Sequence, residues 1–156
     1  MLEFNQFSKI IETGCLKTIT EFITPKYDVK IGKVREEPVL EEIYGPSVEV
    51  SGQNFNYSCI LEYRVEDNQK ILDLLYRKYP FIKNDEIPEI DILDFLGEFL
   101  NILCGKINKE LEKEDNQLSI EIPYFSYGLF VEEDQKIGTK TFSFDDLSFK
   151  LHYYIN

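Results

Sequence analysis

The sequence predicts an α+β fold: one domain spanning residues 1–156, built as a mainly antiparallel β-sheet with long amphipathic helices packed on it. Three observations predict it. Two long segments repeat apolar residues at three-and-four spacing, the period of a half-buried helix. Several short segments alternate apolar and polar residues with period two. The two kinds of segment do not follow one another as regular βαβ units, so a parallel sheet is not indicated.

In chain order, the first element is a helix over residues 2–24, where Phe4, Phe7, Ile10, Ile11, Cys15, Leu16, Ile19, Phe22 and Ile23 mark one face. Thr24-Pro25 is its expected stop. Strands are expected over residues 28–34 and 48–51, separated by an acidic connection (36–42) and a turn at Gly45-Pro46. A third runs over 55–64, where Phe55, Tyr57, Cys59, Leu61 and Tyr63 alternate with polar residues and only Ile60 is out of phase. Cys59 is therefore a small core residue and not a nucleophile. Ile71, Leu74 and Leu75 place a second helix over 66–79, ended by Pro80. After a polar loop containing Pro88, residues 89–113 form the longest helix-compatible run. Strands return at 119–125 and 127–132, expected to pair, then at 139–144 after a turn at 134–138, and at 149–155 after Asp145-Asp146.

With 17 Lys+Arg against 29 Asp+Glu the net charge is -12, a field that repels phosphate backbones and anionic lipid. Nucleic acid and membrane surfaces are not expected partners. The three cysteines match neither a disulfide framework nor a Cys-x-x-Cys pair, no apolar run approaches the roughly 18 residues of a membrane span, and Glu3 stands where a signal peptide carries basic residues. A cytoplasmic location is expected. The single histidine, His152, shares the polar face of the last strand with Lys150 and is expected to be solvated. That leaves no histidine for a nucleophilic triad and no zinc-ligand set, and glycine-rich phosphate loops are absent.

The long helix carries a polar stripe. At about 100° per residue, Asp94, Glu98, Asn101, Gly105, Asn108 and Glu112 fall within roughly 40° of one line, while Ile92, Leu93, Phe95, Leu96, Phe99, Leu100, Ile102, Leu103, Ile107 and Leu111 form a broad apolar arc. A solvated face accounts for such a stripe. Two residues ask for more: mid-helix, Asn101 costs about 0.5 kcal/mol and Gly105 up to about 1 kcal/mol relative to alanine, and Gly105 leaves backbone bare one turn beyond Asn101. A partner protein could approach closely there.

Asp94, then Glu98, then Asn101 on an amphipathic helix, with Pro123 of Ile122-Pro123 following Asn101 after 21 intervening residues, resembles the signature of the bacterial chemotaxis phosphatases CheX, CheC and FliY, most of all CheX. A Glu-x-x-Asn pair alone is uninformative; the conjunction with Asp94, Gly105, Pro123 and a β-rich tail carries the resemblance. Pro123 stands one residue short of the family spacing, and the N-terminal helix has no second copy of the motif.

The resemblance implies a phosphatase acting on the aspartyl phosphate of a CheY-like response regulator. The catalytic residues would be Glu98 and Asn101, Asn101 orienting water and Glu98 pairing with the regulator's lysine. Asp94, Gly105 and Pro123 would serve docking. It implies no cofactor of the protein's own, since the regulator carries Mg²⁺, and a homodimer joined edge to edge, for which the apolar run Leu151, Tyr153 and Ile155 is the expected edge. Two alternatives stay open: a non-enzymatic regulator-binding or flagellar-switch-like module, and an acidic interaction domain whose motif is coincidental.

Overall fold

Alternating apolar side chains at Tyr57, Cys59 and Leu61 and at Phe149, Leu151 and Tyr153 form the middle of a seven-stranded, wholly antiparallel sheet. The computed structural model describes residues 2–32, 34–36, 43–78, 89–115, 117–127 and 135–156. The strands are β1 (Arg35–Glu36), β2 (Tyr44–Ser51), β3 (Tyr57–Leu61), β4 (Ser119–Ile120), β5 (Tyr124–Tyr127), β6 (Ile137–Phe144) and β7 (Leu147–Ile155). Their order is β1-β6-β7-β3-β2-β4, with β5 pairing the same strand, β2, as β4 does. β4 takes Val50 and Ser51 and β5 takes Tyr44 to Ser47; the Glu121 N–H still bonds the Glu49 carbonyl, and the two registers differ by one residue, so residues 122–123 form a bulge opposite Val48 along this edge.

One face of the sheet carries the helices α1 (Phe4–Thr18), α2 (Thr24–Tyr27), α3 (Asn68–Lys78) and α4 (Glu89–Leu111). α4 lies on β2 and β3 and packs along α1. Leu96, Phe99, Leu103 and Ile107 are buried as their spacing predicts, Phe99 stacking on Phe142 and Phe149. α1 comes so close that a Cβ on Gly14 would stand 2.6 Å from the Ile107 side chain. Cys15, Cys59 and Cys104 are buried in this core, and burial pushes the Cys15 and Cys59 thiols up, away from reactivity.

Several expectations are corrected. The first helix does not stop at Thr24-Pro25: it widens into a π-turn at Ile19–Ile23 and continues as α2. A proline ring clashes with the carbonyl four residues back, here Glu21, and the wide turn around Glu21 relieves this. Residues 28–32 form no strand. Asp28 caps α2 in the left-handed region, and only Ile31 bridges Phe144. Gly45-Pro46 is no turn but the start of β2, where Gly45 takes φ 156 and any Cβ would clash with the Leu61 carbonyl oxygen. The single strand expected over 119–125 is split into β4 and β5, and both pair β2. Gly138 belongs to β6 and not to a turn. The Pro80 and Pro88 stops, most of the acidic connection and most of the strand expected over 127–132 lie outside the described residues.

The largest correction concerns the last strand. β7 is central, between β6 and β3, so Leu151 and Tyr153 are buried core residues and not a sheet edge. His152 does point to the face away from the helices, but it is 0% exposed. Its register partners Ile60 and Thr139 flank it on both sides, Thr139 Oγ1 lies 2.8 Å from Nδ1, and the Glu62 carboxylate lies 2.9 Å from Nε2. Burial pushes its pKa below the usual histidine range, with Glu62 pulling in the opposite direction.

Candidate functional site

The apolar arc of α4 is consumed by the core, which leaves the polar stripe facing out: Asp94, Glu98, Asn101 and Gly105 are all exposed. The stripe does not lie on an open surface. On one side Pro123, at the bulge between β4 and β5, and Tyr124 and Phe125 of β5 stand against it, together with Pro46 of β2. These residues, with Leu93, Asp94, Gly97, Glu98 and Asn101, line a groove of about 470 Å³. On the other side stands α2. Tyr27 packs edge-on against Phe95, and Lys26 Nζ lies 3.7 Å from Glu98 Oε1.

The structure thus brings four of the five singled-out residues, Asp94, Glu98, Asn101 and Pro123, into one groove. Gly105 lies one turn further along, in a separate depression with Asn108, Lys109, Glu112, Asp115 and Leu118. A Cβ on Gly105 would meet nothing within 4 Å, so no packing inside this chain requires glycine there. Asn108 belongs to the structural part of the stripe, since its Oδ1 accepts a 2.6 Å bond from the Tyr57 hydroxyl.

Sequence reasoning missed Gly97, Pro46, Tyr124 and Lys26. Gly97 had a signal: a second mid-helix glycine, 60° off the stripe axis, whose missing side chain keeps the groove open. A Cβ there would touch Pro123 Cβ at 3.8 Å, ordinary contact, while anything longer would reach into the groove. Pro46, Tyr124 and Lys26 come from elements distant in sequence, and only tertiary packing gathers them.

Chemically the groove is specific in what it lacks. Its lining offers two carboxylates, one carboxamide and the Tyr124 hydroxyl, which bonds Glu49 at 2.9 Å. Among the described residues, no cation and no Ser, Thr, Cys or His nucleophile lines it. Among the described residues no cluster of three His, Cys, Asp or Glu is placed to hold a metal ion, and no helix is long and apolar enough to cross a membrane. An anionic substrate would be repelled here unless it arrived with its own positive charges; the Tyr124 hydroxyl gives its proton to Glu49, which leaves the Asn101 amide, among the described residues, to donate to and accept from a water without adding charge.

No protein-family model matches the sequence, and no curated protein sequence matches it. Solved structures do. The chemotaxis protein CheX from Desulfovibrio desulfuricans superimposes with a TM-score of 0.66 at 15% identity, covering 94% of this chain and 99% of that one. The CheX of the CheX–CheY–BeF3–Mg²⁺ complex from Borrelia burgdorferi gives a TM-score of 0.54 at 16% identity, covering 92% and 96%. The middle domain of FliM from H. pylori gives 0.56 at 9% identity, covering 98% and 92%. The chain has the fold of the CheX and CheC-like chemotaxis proteins.

Proposed function

We propose that this chain is a phosphatase for the aspartyl phosphate of a CheY-like response regulator, docking through the α4 groove. The observation that carries the proposal is the conjunction of fold and groove: Glu98 and Asn101 stand exposed together, beside Asp94 and Pro123, on the outward stripe of a helix otherwise consumed by the core. A groove with carboxylates and an amide but no cation suits a substrate that brings its own. A phosphorylated receiver carries Mg²⁺ and a lysine around its phosphoryl group, so the charge stabilisation for phosphoryl transfer comes with the substrate protein. What this chain adds is geometry. Glu98 pairs with the regulator's lysine and fixes the approach; one turn along, the neutral Asn101 amide orients a water in line with phosphorus. The water oxygen bonds to phosphorus, the bond to the aspartyl oxygen breaks, and inorganic phosphate leaves. Asp94 and Pro123 shape the docking surface. Such a reaction belongs in the cytoplasm, where receivers work, and a homodimer is part of the same proposal, checked by sedimentation at micromolar concentration.

The FliM fold match favours a second reading, a docking module without catalysis. The test separates them. Catalytic amounts of the chain should shorten the lifetime of a phosphorylated receiver, and Asn101→Ala should remove that acceleration by about 100-fold while leaving the complex largely intact, because a contact made in the transition state affects rate more than ground-state binding. If Asn101→Ala is as active as wild type, or if only stoichiometric amounts of the chain change the lifetime, the phosphatase reading fails and the docking module replaces it.

A further inference from the structure

Among the described residues, three ion pairs tie the N-terminal helical segment to α4: Lys17 with Glu110, Glu21 with Lys106, and Lys26 with Glu98. The first two join residues away from the groove. The third ends on the carboxylate assigned to docking, and it differs in how it is held. The Lys26 side chain is 22% exposed against 57% for Glu98, and its ammonium lies 4.6 Å from the centre of the Phe22 ring and 5.6 Å from that of Tyr27. Two aromatic faces thus hold the cation, while the carboxylate is left in solvent. The π-turn at Ile19–Ile23, which contains Phe22, is what turns α2 so that Lys26 arrives beside α4; such widened turns recur where a helix must re-aim a functional side chain.

We propose that Lys26 is a positioning residue for Glu98, an inference that rests on the regulator-docking reading of the groove. Lys26 faces one carboxylate oxygen, Oε1, and the other oxygen has no partner among the described residues. A carboxylate accepts at both oxygens, so it can hold Lys26 and the receiver's lysine together. Lys26 therefore limits the orientations Glu98 samples before docking, and acts on the receiver only through that carboxylate. Its role is cooperative: it does not compete with the regulator for Glu98.

The test is an equilibrium titration of the full chain with the CheY-like receivers of its own organism, each activated with beryllofluoride and Mg²⁺, so that docking is read without hydrolysis. Lys26→Met keeps the stem on Phe22 and removes the charge. It should raise Kd about two- to fivefold, the range of one partly exposed ion pair, and Lys26→Arg should restore it. In a Glu98→Gln background Lys26→Met should have no further effect, and Lys17→Met, which breaks a pair away from the groove, should bind as wild type. Thermal melts check that each variant is folded, with Lys26→Gln replacing Lys26→Met if the latter is not. An unchanged or lowered Kd for Lys26→Met, or the same loss in the Glu98→Gln background, overturns the role of Lys26 alone. If no receiver binds the wild-type chain, the docking reading and the role of Lys26 fall together.

Discussion

At the scale of single residues, Glu98 and Asn101 sit one turn apart but in different surroundings, and that difference separates what their loss should do. Glu98 leans toward Lys26 on the α2 side, whereas Asn101 faces the groove walled by Pro123. Glu98→Ala should therefore weaken binding of an activated receiver by about 10- to 100-fold, as expected when one partner of a charge pair that becomes desolvated on docking is removed, and Glu98→Lys should weaken it further. Asn101→Ala should leave that binding within a few fold. A titration in which the two alanine variants bind equally well would contradict the division of labour. The motif that pointed to these two residues was legible because helical geometry converts a spacing of three into a shared face without help from the rest of the fold.

At the scale of elements, α4 carries two glycines with different surroundings. Gly97 looks into the groove past Pro123, and Gly105 looks into open space. Replacing either by leucine removes the conformational cost of mid-helix glycine, so neither Gly97→Leu nor Gly105→Leu should lower the melting temperature. Gly97→Leu should nevertheless abolish docking, because the added side chain grows into the space the partner would fill. Gly105→Leu should weaken docking only if the partner's surface extends one turn beyond the groove. Melting curves beside receiver titrations check both, and a Gly97→Leu variant that binds normally would show that the groove is not the docking surface. The wall opposite α4 was hidden from sequence reading for a structural reason. One continuous strand was expected over 119–125, and it is the one-residue offset between the β4 and β5 registers on β2 that interrupts it at 122–123, where Pro123 stands beside Gly97.

At the scale of the whole molecule, the buried histidine makes stability depend on pH. The folded His152 imidazole holds its proton less tightly than the unfolded one, because burial outweighs the help of Glu62. Unfolding therefore takes up a proton below the unfolded-state value of about 6.5, so the contribution is fully present above that value and is lost as pH falls through it toward the folded-state value. Glu36 and Asp145, held low by the Lys140 ammonium and by the Lys30 backbone N–H respectively, follow the carboxylate rule: their contributions are present above about 4.5 and fade only in stronger acid. Urea denaturation should thus show stability falling as pH drops below about 6.5, with the slope flattened in His152→Gln even if that variant is less stable throughout. An unchanged slope would mean that His152 titrates alike in both states.

The sequence by itself determined the α+β class, the long amphipathic α4, the buried row Leu96, Phe99, Leu103 and Ile107, and the outward facing of Glu98 and Asn101, because each follows from local periodicity: one side of an element must leave water and the other need not. Tertiary structure alone decided which strand is central. Period-two alternation says which side chains share a face but not how many neighbours a strand has, so β7 looked like an edge and His152 looked solvated, although Ile60, the one apolar residue out of phase in β3, lies directly beside His152 in the sheet. Tertiary structure alone also gave the groove its wall and set Lys26 beside Glu98. Pro46, Tyr124 and Lys26 reach α4 through strand order and through a π-turn around a proline clash, and contacts between residues so far apart along the chain leave no periodic trace in the sequence.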